Sequence, residues 1–124
     1  PGLAVRVNGP VTRERVRHLR RANAIVEEEV DRAVAAGTIS APWQYFAVLL
    51  STRTVGVTGD NRVAGEAVAV RIVESTDAMT ATAAALPRPL AARLAERITR
   101  ELTPYVVRVL YDLTDKPPAT IEWE

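Results

Sequence analysis

Few residues of this 124-residue chain could do chemistry by themselves, and the first of them is Pro1. An unblocked N-terminal proline is a secondary amine; deprotonated it is a compact base and nucleophile, and protonated it is a cationic acid. Apolar walls or a neighbouring cation lower its pKa and a carboxylate raises it, so the pocket around it decides which role it plays. The chain has no cysteine, which excludes disulfide scaffolds, thiol catalysis and cysteine-based zinc sites. His18 is the only histidine, so a metal centre built on several imidazoles is impossible, and no metal site is expected. The acidic run Glu27-Glu28-Glu29 with Asp31 falls on a predicted helix, where consecutive carboxylates diverge, and reads as a solvated face. The stretch VTGDN, with Gly56 just before it and Gly59 inside it, reads as a hairpin turn, since no helix follows to present N–H groups to a phosphate. Trp43, Tyr45 and Trp123 read as core or interface aromatics, and Trp123 has a second reading as the wall of a pocket beside Glu122.

The elements that would position these groups follow from periodicity. A chain of this length with 48% hydrophobic residues forms one domain over 1–124. Its formal charge is +1 and its arginines are scattered, so neither nucleic acid nor an anionic membrane is an expected partner. No basic-then-apolar leader and no apolar run approaching 18 residues is present, and the expectation is a soluble, cytoplasmic protein. Leu3 to Val7 alternate as a strand that Asn8-Gly9-Pro10 breaks. Thr12 can cap a helix whose stripe of Val16, Leu19, Ala22 or Asn23, Val26, Val30 and Ala33 runs to about Ala36, with Gly37 as the stop. WQYFAVLLS then reads as a strand apolar on both faces, and TRTVGVTGDN as a short hairpin arm.

The pattern then restarts. Ala67 to Val73 read as a strand, Leu90, Leu94, Ile98 and Leu102 as a helix entered through Pro87 and Pro89, and YVVRVLYDL as a partner strand before a tail with little regular structure. LAVRV and VAVRI match as the first strands of two halves, 1–62 and 63–124. The expected fold class is therefore α+β: two tandem βαβ units forming a four-stranded sheet with two helices on one face. Strands apolar on both faces imply that the uncovered side is buried by other subunits.

A duplicated βαβ unit starting at a bare proline resembles the tautomerase superfamily, and within it the fused chains of the cis-3-chloroacrylic acid dehalogenase type. The resemblance is carried by PGLAVRV, QYFAVLL, VGVTGD, AGEAVAVRIV and VLYDLTDKPPATIEWE. It implies a homotrimer acting without a cofactor on a small-molecule substrate. Pro1 would be the general acid or base, completed by Tyr111 and Glu122 as catalytic groups. Keto–enol tautomerisation of a small carbonyl or unsaturated acid is the simplest such reaction. Hydration or hydrolytic dehalogenation is the alternative, and a non-catalytic trimeric binding subunit is a third reading. The pair of arginines with which that branch grips a substrate carboxylate is replaced by Ser75 and Ala78. Substrate binding would then fall to Arg71, Ser75 and Trp123, with Arg6, Arg53 and Arg108 as other candidate guanidinium donors.

Overall fold

The computed structural model of the chain describes residues 2–124. In order it forms a single 3₁₀ turn (Leu3–Arg6), α1 (Arg13–Ala35), β1 (Gln44–Leu49), β2 (Thr54–Thr58), β3 (Asn61–Glu74), β4 (Thr82–Ala83), α2 (Arg88–Leu102) and β5 (Val106–Tyr111). Among the described residues no helix is long and apolar enough to cross a membrane.

Helix α1 starts where a side chain can replace a missing backbone partner: the Arg15 amide donates to Thr12 Oγ1 at 3.1 Å. Leu19, Ala22, Val26, Val30 and Ala33 form its buried stripe. It stops at Gly37, whose φ of +77° lets the next amide, that of Thr38, turn back to the Ala33 carbonyl at 3.0 Å. Helix α2 begins with Pro87 and Pro89 around its first turn and buries Leu90, Leu94, Ile98 and Leu102.

β3 is the centre of the sheet. Its C-terminal half pairs antiparallel with β1, from Leu49 opposite Val68 to Gln44 opposite Val73. Its N-terminal half pairs antiparallel with β2 through a two-residue turn at Gly59-Asp60, where Gly59 has φ +61°. Its other edge takes β5 in parallel and the short β4 in antiparallel pairing.

This arrangement corrects the expected pair of tandem βαβ units. Among the described residues β3–α2–β5 alone encloses a parallel pair of strands; β1 and β3 are antiparallel neighbours. The stretch read as a hairpin arm and the strand read from Ala67 are joined through one 14-residue strand, so the expected boundary at 62/63 falls inside β3. The expected first strand is a 3₁₀ turn that meets the sheet only where Val7 bridges Leu49 and the Asn8 amide donates to the Leu49 carbonyl. The amides of Val5 and Val7 turn back to the Gly2 and Ala4 carbonyls at 3.3 and 3.1 Å, which spends them inside the turn, and Gly9 and Pro10 end the run directly after; the apparent repeat was a likeness of composition.

The helices cover one face of the sheet, and the opposite face is covered at one end, leaving Leu110 of β5 exposed. Ala47, Leu49, Val68, Val70 and Ile72 pack with Leu19, Val26, Val30, Leu94 and Ile98 of the helices. Phe46, Val48, Ala69 and Val73 pack on the opposite side with Ala81 and Ile121, the latter from the C-terminal segment. The face that was expected to need neighbouring subunits, as in a homotrimer, is instead covered at this end by the chain's own tail. Glu29 also departs from its reading as part of a solvated face. It is 1% exposed between the helices, where it accepts hydrogen bonds from Arg93 Nε and Arg97 Nη1, each at 2.9 Å, and from Arg32 Nη1 at 3.1 Å.

Candidate functional site

Beyond β5 the chain leaves the ladder and runs across the sheet without a regular pattern of its own. Such a segment has carbonyls that must find donors once water is excluded. Arg71, on β3 and fully buried, supplies them. Its guanidinium donates to the carbonyls of Thr114 (Nη1, 2.5 Å), Thr120 (Nη2, 2.8 Å), Ile121 (Nε, 3.3 Å) and Asp112 (Nη1, 3.4 Å). The Asp112 carboxylate lies 3.5 Å from Nε and offsets part of the cost of burying the charge. That carboxylate is itself oriented, accepting from the Thr114 amide at 2.9 Å and from Trp123 Nε1 at 3.1 Å.

Two features flank this anchored segment. At its end Glu122 accepts from Arg6 Nε at 2.9 and 3.1 Å, and the Arg6 guanidinium lies 4.0 Å from the centre of the Phe46 ring. Beside its middle opens a cleft of about 650 Å³, bounded by Trp43, by the loop from Glu74 to Thr82 and by Asp115, Lys116 and Pro117. Backbone pairing of Ala81 with Lys116, 2.9 Å in each direction, joins the two walls. Ser75 shapes the loop: its Oγ accepts from the Ala78 amide at 2.8 Å and donates to the Thr80 carbonyl at 2.6 Å, where Ala78 has φ +65°. Lys116 Nζ donates to the Ala78 carbonyl at 2.8 Å. Its ammonium, the hydroxyls of Thr76, Thr80 and Thr82, and the carboxylates of Glu74 and Asp115 give the cleft groups suited to a polar small molecule, while Ser75 lines it with its hydroxyl spent on the loop.

Of the residues singled out from sequence, Pro1 lies outside the described residues. Arg71, Tyr111, Glu122 and Trp123 gather at one end of the sheet, with Arg6 among them, and Ser75 lines the cleft. Tyr111 donates its hydroxyl proton chiefly to the Ala84 carbonyl at 2.6 Å, with the Ile72 carbonyl at 3.1 Å. Burial, only partly opposed by the Arg71 charge, pushes its phenol up to about 12, so it stays protonated as a link between β5 and the β3–β4 edge. Arg53 and Arg108 point to carbonyls of the β2–β3 arm, those of Ala64 and Val55, and do not join this cluster. Sequence reasoning passed over Asp112, Asp115 and Lys116. Their signal was a tail dense in prolines and charges, which has no ladder to satisfy its backbone and must be pinned by side chains if it is ordered.

Residues 29–123 match the family model described as the GMP synthase C terminal domain. The whole chain is 60% identical to a glutamine-hydrolyzing GMP synthase of Aeropyrum pernix, covering 23% of that protein. It is also 60% identical to a subunit of the glutamine-hydrolyzing GMP synthase of Pyrococcus horikoshii, covering 38% of that subunit, and 53% identical to the same-named subunit of Methanocaldococcus jannaschii, covering 39%. The chain thus spans well under half the length of these relatives. Identity at this level over every residue overturns the tautomerase resemblance, and with it the isomerase, hydratase, dehalogenase and trimeric-subunit readings. The stretches that carried that resemblance were short strand-like runs and a terminal proline, which unrelated chains share.

Proposed function

Since this chain belongs to the family of GMP synthase C-terminal domains, we propose that it acts as part of a glutamine-hydrolysing GMP synthase and that its C-terminal cleft helps to hold the purine nucleotide. The observation that carries the first part is 60% identity over all 124 residues to proteins of that name. The name implies the chemistry. Glutamine hydrolysis yields ammonia, and the exocyclic amine of GMP then comes from ammonia displacing the exocyclic C2 oxygen of a xanthosine monophosphate precursor. That oxygen is a poor leaving group until ATP activates it. The 124 residues contain no cysteine and one histidine, so a Cys–His pair for amide hydrolysis is not built here. What this segment offers is recognition.

A purine monophosphate presents a phosphate dianion, ribose hydroxyls and ring N–H donors. The cleft answers each kind of group: the Lys116 ammonium for phosphate, threonine hydroxyls for phosphate or ribose, and carboxylates for N–H and hydroxyl donors. Its volume of about 650 Å³ lies within the usual range of small-molecule sites. In the longer polypeptide that carries this segment, Lys116→Ala is expected to raise KM for xanthosine monophosphate about tenfold while leaving glutamine hydrolysis unchanged, the loss of one charge-assisted contact. An unaltered KM would remove the cleft from the reading.

A further inference from the structure

The four carbonyls bound by Arg71 fall into two groups. Asp112 and Thr114 lie where the chain leaves β5; Thr120 and Ile121 lie where it returns to the sheet. Between them residues 115–119 project as a loop carrying Lys116. Apart from Arg71, that loop is tied down by the Ala81–Lys116 backbone pair, the Lys116 Nζ bond to Ala78, an Ala119 amide bond to the Asp115 carbonyl and the Asp115 carboxylate accepting from the Ala83 amide. One guanidinium therefore closes the loop from beneath. We infer that Arg71 is a positioning residue for the proposed nucleotide site: it clasps both ends of the 112–121 loop and so fixes where Lys116 stands in the cleft.

The choice of arginine follows from the geometry. The acceptors spread around the plane of the side chain, and only a guanidinium presents five N–H groups in a fixed fan; an ammonium has three donors about one atom. Complete burial keeps water from substituting for those donors. Because Arg71 sits behind the loop with no exposed surface, it acts on a ligand only through the backbone it holds.

This inference rests on the nucleotide reading of the cleft, and the two are separable by experiment. Arg71→Met and Arg71→Lys are made in the longer polypeptide, and hydrogen exchange is followed by mass spectrometry together with steady-state kinetics at varied xanthosine monophosphate. The clasp requires amides of residues 114–122 to exchange about tenfold faster in Arg71→Met, with protection in α1 and β1 retained, and less so in Arg71→Lys, which keeps charge and some donors. It also requires KM to rise about tenfold with kcat changed far less, since a displaced loop weakens binding. Exchange that rises equally through the sheet and both helices would make Arg71 a general support of the fold and overturn the inference, as would an unchanged loop. Where Arg71→Met does not fold, Arg71→Lys decides by the same two readouts. Faster loop exchange with no change of KM in either Arg71 variant or in Lys116→Ala would leave the loop clasp intact but refute the nucleotide site and the inference together. A raised KM in Lys116→Ala alone would refute the inference only.

Discussion

The two faces of the sheet are covered in different ways, and the contrast shows what each kind of cover demands. The helices on one side satisfy their own backbones, so they meet the sheet chiefly with Leu19, Val26, Leu94 and Ile98, while charge sits in the seam between them at Glu29 and at the margin, where Arg15 pairs with Glu66 of β3 at 3.2 Å. The C-terminal segment on the other side has no internal ladder, so its cover includes a fully buried cation within an otherwise apolar face. Helices can cover a sheet mainly with apolar contacts, with Asn23 accepting from the Ala47 amide as a local exception here. An irregular segment must also be given hydrogen-bond donors.

The largest effects should separate the two faces. Ile98→Ala removes a wholly buried side chain from the helix layer and is expected to cost about 2–5 kcal/mol in denaturant unfolding. Ile121→Ala should cost less than half of that, because the tail can settle into the space; equal losses would mean that both faces are equally rigid.

Glu29 offers the next test. Burial acts to raise its pKa, but hydrogen bonds from Arg97 and Arg93 and the charge of Arg32 outweigh it and hold the carboxyl below its ordinary value. A depressed value in the folded state adds stability that is complete above the unfolded glutamate value of about 4.3 and is lost as pH falls through the folded one. Glu29→Gln should therefore lose about 1.5–3 kcal/mol at pH 7, the worth of charged hydrogen bonds. The deficit relative to wild type should shrink as the medium is acidified below about pH 4, in urea titrations at stepped pH. A pH-independent deficit would show that packing, and not charge, joins the helices.

Smaller changes follow for groups at the margins. Tyr111→Phe should cost about 1 kcal/mol by leaving the Ala84 carbonyl without its donor, read as a shift in thermal midpoint. Arg100→Ala, removing an exposed pair with Glu96, should fall within about 0.5 kcal/mol of wild type; a larger loss would mean that the surface arginines act as one network with Glu29.

The difference between the faces also governed what could be read in advance. The stripe from Val16 to Ala33, its Thr12 cap and Gly37 stop mark α1 in sequence, because helix signals are local and repeat every three to four residues. Leu90, Leu94, Ile98 and Leu102 mark α2 in the same way. Tyr111, Glu122, Arg71 and Trp123 were singled out by a resemblance that proved mistaken, so their meeting at one end of the sheet owes nothing to the chemistry then assigned to them. Lys116 and Asp112 fell on no helix or strand period, and their one mark was a tail dense in prolines and charges.

Sequence by itself determined the two amphipathic helices and the apolar runs that became β1, β3 and β5, since these depend on residue type and near-neighbour spacing. Tertiary structure alone decided that β3 runs unbroken as the central strand, that Glu29 is buried and paired, and that Arg71 clasps the tail. Those outcomes depend on which distant backbone groups are left without partners once the sheet has formed, and no local period along the chain records that.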